Sequence, residues 1–128
     1  MTAFSDYLEN ALIDHTLRNT ALTSPTTVYL SLQTSATNDD DSGTEVSGGS
    51  YARQAVAFSA PSGGSTSNSG LVTFPTATAS WGTVSHFGIY DAVTVGNLLY
   101  WGALTVSKTV DNGDIFTVPI GNLTVTLQ

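Results

Sequence analysis

Two histidines, ten carboxylates and a few large aromatics are the side chains of this 128-residue chain that chemistry could use. Ser85, His86 and Asp91 have the residue types of a nucleophile, base and orienting acid. Ser85 and His86, however, are neighbours in a strand-like segment. Successive strand residues face opposite sides, so these two are not expected to meet. His15 falls among the apolar positions of a helical segment, and His86 stands beside Phe87. Both are expected to be packed, hydrogen-bonded residues. The one acidic cluster is Asp39-Asp40-Asp41, followed by Glu45. Hard cations need several converging oxygens, but three consecutive aspartates lack the alternate spacing of a calcium loop. The expectation is a solvated, solubilising loop. Asp111 and Asp114 flank Asn112-Gly113, where turn chemistry accounts for them. No GxSxG, HExxH, P-loop or dinucleotide fingerprint occurs in the sequence. No catalytic, cofactor-binding or metal-ligating residue is therefore assigned, no cofactor is expected, and the chain is not expected to be an enzyme. Trp81, Tyr100 and Trp101 remain as aromatics able to pack a core, anchor an interface or stack on a sugar.

Composition narrows the classes further. Three basic residues, Arg18, Arg53 and Lys108, stand against ten acidic ones, for a formal charge of −7. No stretch could neutralise several phosphates, so neither nucleic acid nor an anionic membrane surface is an expected partner. No apolar run is long enough to cross a bilayer as a helix, and the first residues lack the basic and apolar regions of a secretory signal. Cysteine is absent, which removes disulfides and thiolate sites and fits a cytosolic folding compartment. About a quarter of the residues are Ser or Thr, and Gly is frequent. Such composition favours strands and turns.

The elements that must position these groups follow from periodicity. Phe4, Leu8, Ala11, Leu12 and His15 share one helical face, predicting a helix over 3–18 with Thr2 as N-cap and Asn19 as the stop. Its apolar face covers the sheet or packs on a neighbouring subunit. After Pro25 the rhythm becomes two: Val28, Leu30 and Leu32 alternate with Tyr29, Ser31 and Gln33, as in a half-buried strand. Residues 34–50 read as a long exposed loop or hairpin tip, and 61–70 as a second Gly/Ser-rich break. Further strands are predicted over 51–59, 71–74, 83–90, 98–106, 115–119 and 123–127. Asn112-Gly113 is the strongest hairpin signal. The expected fold is mainly β: an antiparallel β-sandwich or small barrel of about seven strands with one N-terminal α-helix. It forms a single domain over 1–128, with the sandwich over 26–128.

Longer runs carry a resemblance. They are Ser5-Asp6-Tyr7-Leu8-Glu9-Asn10-Ala11-Leu12, Gly48-Gly49-Ser50-Tyr51-Ala52-Arg53-Gln54, Phe74-Pro75-Thr76-Ala77-Thr78-Ala79-Ser80-Trp81-Gly82-Thr83-Val84-Ser85-His86-Phe87-Gly88-Ile89-Tyr90-Asp91, Asn97-Leu98-Leu99-Tyr100-Trp101-Gly102-Ala103-Leu104 and Gly121-Asn122-Leu123-Thr124-Val125-Thr126-Leu127. Together they resemble a family of small virion structural proteins of tailed bacteriophages, cyanophages among them, whose members are labelled tail-fibre or generic structural proteins. The resemblance covers almost the whole chain and brings no catalytic residues with it. It implies a virion protein on an outer surface. The leading expectation is a capsid decoration (cement) protein, bound non-covalently across the major capsid protein as a homotrimer at three-fold positions. The alternative is a tail or tail-fibre module or adaptor. A carbohydrate-binding domain using Trp81 or Trp101 comes third. Phe4, Tyr7, Leu8, Ala11, Leu12, Trp81 and Trp101 are the candidate interface residues.

Overall fold

The chain begins as a strand where a helix was expected. In the computed structural model, which describes residues 2–127, Thr2–Phe4 (β1) pairs antiparallel with residues 100–102, and the helix α1 spans only Asp6–Leu17. Ser5 is the physical reason. Its backbone is extended (φ −81°, ψ 158°) and its hydroxyl oxygen accepts from the Leu8 N–H (3.1 Å), making Ser5 rather than Thr2 the N-cap. The same hydroxyl donates to the Leu98 carbonyl, and the Ser5 N–H donates to the Leu99 carbonyl (3.0 Å). Phe4 keeps the apolar role that periodicity gave it, but from a strand, with its ring 5.5 Å from that of Tyr100. The helix stops as expected: Asn19 takes a positive φ of 55° just past the Arg18 cap.

Eight further strands follow: Val28–Gln33 (β2), Gln54–Val56 (β3), Ser65–Ser67 (β4), Val72–Thr73 (β5), Gly82–Tyr90 (β6), Leu98–Val110 (β7), Thr117–Val118 (β8) and Thr124–Thr126 (β9). All pairings are antiparallel. One five-stranded sheet has the order β1-β7-β6-β2-β3, and two ribbons, β4-β9 and β5-β8, lie across it. The seven expected strands are all present. The two additions are β1 and β4, the latter inside the 61–70 break. Ser65-Thr66-Ser67 has no apolar alternation to announce it. It pairs instead with β9, where the Ser65 and Thr126 hydroxyls meet at 2.9 Å.

The core fills the space between the sheet and the ribbons. Leu30, Leu32, Phe87 and Ile89 of the sheet pack against Val72, Phe74, Phe116, Leu123 and Val125 of the opposing layer. Trp81 is also buried there, perpendicular to Tyr51 and Phe74, and its indole N–H donates to the Gly49 carbonyl (2.9 Å). The layers join on both sides. On one, Thr2 Oγ1 accepts from the Thr126 N–H (3.2 Å). On the other, the chain after β3 bridges to Asn68, with Ser59 N–H on the Ser67 carbonyl and Ser69 N–H on the Ala57 carbonyl.

The Asn112-Gly113 turn forms, but it makes no hairpin. The Asp114 N–H closes on the Asp111 carbonyl (3.0 Å), and of the two central residues only Gly113 has a positive φ (92°). That is type II geometry, whose twist does not suit a two-residue hairpin, where type I′ needs both residues at positive φ. The chain instead crosses between layers: β7 pairs with β1 and β6, whereas β8 pairs with β5.

Asn68 fastens the ribbon end of the sandwich. It is 1% exposed, and its side chain donates to the Gly70 (2.8 Å) and Pro119 (3.0 Å) carbonyls and accepts from the Leu123 N–H (2.9 Å). Replacing it with alanine strands three backbone groups in a dry site. Asn68→Ala is expected to lower stability by about 3 kcal/mol, read as a reduced urea midpoint with unchanged slope.

Candidate functional site

Strand β2 was expected to be half-buried, yet Leu30 through Gln33 are all buried, on both faces. On the face away from the core lie Ser31 and Gln33. Burying such groups needs hydrogen-bond partners, and β6 with residues 34–50 supply them. Gln33 Nε2 donates to Ser31 Oγ (3.0 Å) and to the Tyr90 hydroxyl (3.4 Å), and Ser31 Oγ donates to the Gly88 carbonyl (3.2 Å). Gly88 is required by space: a Cβ there would stand 2.9 Å from Ser31 Oγ and from the Tyr90 ring.

The 34–50 segment is therefore no free loop. It turns back over the sheet, burying Thr37 and Val46, and its carboxylates reach five separate partners. Asp39 accepts from the Trp101 indole N–H (2.8 Å), and its carbonyl takes the Asp6 N–H at the start of α1 (2.9 Å). Asp40 accepts from the Ser42 N–H (3.1 Å), and Asp41 from the Tyr90 hydroxyl (2.5 Å). Glu45 takes a bidentate grip on Arg53, with Nε to Oε1 and Nη2 to Oε2 both at 2.8 Å, and Oε1 also accepts from the Tyr51 hydroxyl. Asp39, Asp40 and Asp41 are exposed, as a solvated loop requires, but the carboxylates of this segment are latches as well. Divergent carboxylates do not make a cation site, and among the described residues no cluster suited to a metal ion occurs. A hollow of about 300 Å³ separates Asp39–Asp41 from the start of α1.

Arg53 is the centre of this layer. Its guanidinium lies 3.6 Å over the Tyr90 ring and Nη1 donates to the Ala92 and Val95 carbonyls. Burial alone would lower its pKa. The hydrogen bond and charge of Glu45 outweigh that and hold it above its ordinary value. Burial likewise pushes the Tyr51 and Tyr90 hydroxyls well above the usual phenol range, with Glu45 and Asp41 respectively adding to the rise.

Ser85 and His86 do meet: Ser85 Oγ lies 2.8 Å from His86 Nδ1. Strand alternation fails because the β6–β7 register shifts between Val84↔Lys108 and His86↔Ala103, leaving Leu104 through Ser107 bulged opposite Ser85 alone. The third member of the set is elsewhere. Asp91 accepts from the Asn97 N–H (2.7 Å) and side-chain amide (2.9 Å), closing the β6–β7 loop. The bulge has a second consequence. Beside it opens a cleft of about 470 Å³ whose floor includes Leu30, Leu32 and Phe87 and whose walls include Leu104, Phe116 and Leu123, with Val106 and Lys108 at the bulge.

The candidate interface residues divide. Trp81 and Leu8 are buried within the chain and present no surface, while Phe4, Ala11, Leu12 and Trp101 are half-buried and Tyr7 is exposed. His15 is exposed as well, with Nδ1 accepting from the Leu22 N–H (3.4 Å). Periodicity passed over Ile13 and Leu17, 51% and 79% exposed on the far side of α1, because it sought the face turned toward the sheet.

Two outcomes follow for the buried polar layer. Arg53→Lys keeps the charge but loses the bidentate fork and the carbonyl contacts, so a loss of about 2 kcal/mol is expected in chemical denaturation. For the raised tyrosines, the folded state keeps protons that the unfolded state releases from about pH 10. Their contribution is therefore full below pH 10 and declines as pH rises further. Ultraviolet titration should show their tyrosinate signal appearing only together with cooperative unfolding.

No curated protein matches the chain. A protein-family model does match, over residues 3–126, and its description is Podophage GP4 fiber I protein gp80. The match runs from the first strand to the last, across the helix, the outer polar layer and both ribbons: the chain belongs to the family of the Podophage GP4 fiber I protein gp80.

Proposed function

We propose that this chain is a non-enzymatic structural module of a phage fibre, built into the outside of the virion by contacts with other virion proteins. The observation that carries this reading is the family match along nearly the entire chain. It agrees with the tailed-phage resemblance of the motif runs, and it favours the fibre alternative over the capsid decoration that led the sequence expectations. The chemistry of the molecule supports the same reading. The carboxylates of residues 39–45 and the buried arginine hold backbone and aromatic groups of the chain itself. The Ser85–His86 contact lacks Asp91, which is committed to its own loop. Stacking of a sugar on Trp81 is incompatible with its burial, and Trp101 is tied to Asp39. A formal charge of −7 keeps an exterior surface hydrated and disfavours packaged DNA as a partner.

The experiment is quantitative mass spectrometry of purified virions, with the major capsid protein as internal standard, combined with gold-labelled antibody in electron micrographs. A fibre module is expected at a few to tens of copies, with the label on a fibre. Hundreds of copies and label over the whole head would overturn this proposal in favour of decoration.

A further inference from the structure

The surface of the chain carries two unpartnered features that match each other. The first is on α1. Glu9, Ile13 and Leu17 recur at four-residue intervals, so they form one stripe along the helix. All three are exposed, Leu17 the most at 79%. The stripe faces away from the sheet, which Leu8 contacts from the opposite side. It presents one carboxylate followed by two branched aliphatic side chains over about 12 Å of helix.

The second is the cleft beside the β7 bulge. Its volume of about 470 Å³ lies in the range of roughly 300–1,000 Å³ in which concave protein sites bury their ligands. Its lining is mixed: Leu104, Phe116, Val118 and Leu123 over a floor of Leu30 and Leu32, with Thr and Asn side chains among them. Val106 projects beside it, 69% exposed. Lys108 completes the rim. Arg18 is paired with Asp14 and Arg53 with Glu45. Lys108 is thus the one Lys or Arg side chain that makes no ion pair among the described residues; its ammonium lies 5.8 Å over the Phe116 ring at the mouth of the cleft.

We infer that the cleft of one copy receives the outward stripe of α1 from a second copy, with Ile13 and Leu17 meeting its apolar side chains and Glu9 facing Lys108. Charge and shape select this occupant. An acidic helix with two protruding aliphatics is what a lone cation above such a hollow favours. The two surfaces also sit toward opposite ends of β7. Ser5 anchors the start of α1 at Leu98 and Leu99, whereas the cleft is lined by Ala103 to Lys108. Because stripe and cleft are different surfaces, the contact closes either reciprocally in a two-fold pair, each stripe in the other's cleft, or in a ring of three or more copies. The trimer expected from the sequence is the smallest such ring. This inference concerns the isolated chain and does not depend on which virion structure it occupies.

The test is sedimentation of the purified full chain over a range of concentrations. Leu17→Glu removes the stripe, and Val106→Asp with Lys108→Glu spoils the cleft. All three positions are exposed, so circular dichroism should be unchanged. The wild type is expected to assemble into a closed species of two or more copies. Each altered chain is expected to associate at least about tenfold more weakly, as for loss of a central anchor. Mixing the two altered chains is the decisive step. One retains its cleft and the other its stripe, so together they should form a dimer and stop there. A monomeric wild type, or a mixture in which no dimer appears, would overturn the inference.

Discussion

The pairing of Arg53 with Glu45 is the contact on which the outer half of the structure depends. A five-stranded sheet in a chain of this size has one face against the ribbons, and its other face would ordinarily meet water. Here the middle of that other face is dry. Ser31 and Gln33 of β2 are essentially inaccessible, and Tyr90 is 3% exposed beside them. What covers them is a segment of weak hydrophobicity that could not be held by apolar burial. It is held by charge-assisted hydrogen bonds, which are the stronger kind. The fork of Arg53 fixes Glu45 at the end of the segment, and its face stacks on Tyr90. That ring in turn carries Asp41 near the middle of the segment. Through the Ala92 and Val95 carbonyls the same guanidinium also holds the β6–β7 loop. One cation thus ties together the covering segment, Tyr90 and the β6–β7 loop.

This arrangement explains why the carboxylates mislead when read as a row of letters. Asp39, Asp40 and Asp41 are consecutive, and consecutive acids suggest either a cation or simple solubility. In the fold they diverge, because a tight turn with positive φ at Asn38 and Asp41 sends neighbouring side chains in different directions. Asp39 reaches Trp101, Asp41 reaches Tyr90, and Asp40 caps its own turn. Each interaction spans a long sequence separation or a local backbone twist, and neither leaves a periodic trace. The acids still look outward on one side, so they serve both solubility and structure.

What was legible in the sequence is what periodicity encodes. Val28, Leu30 and Leu32 point to the core as their alternation requires. The seven apolar-patterned strands are present, and Asn19 ends the helix. Trp81 lies in the core, where a chain turning a corner places it. What was not legible depends on partners distant in sequence. Thr2-Ala3-Phe4 has no strand signature of its own and becomes a strand because β7 offers it an edge. Ser65-Thr66-Ser67 is stabilised by hydroxyl pairs with β9 and by its neighbour Asn68, none of them apolar. Ser85 and His86 were kept apart by strict alternation, a rule that holds only while the ladder is regular. The bulge in β7 breaks it, and no single residue there announces the break.

The same bulge links fold to function. A regular β7 would continue to pair with β6 through Ser107 and lie flat. Instead Leu104 to Ser107 leave the ladder, and a cleft opens beside them, with Val106 left 69% exposed at its edge. Exposing such apolar surface is costly for a chain that packs fifteen core residues into one contiguous cluster. The cost falls away if another surface covers the opening. The cleft is lined by apolar side chains interspersed with Thr2, Thr105, Thr117, Asn122 and Thr124, one lysine at the rim and a strand segment free of its ladder. Mixed apolar and polar surface of this kind is what protein–protein contacts are made of.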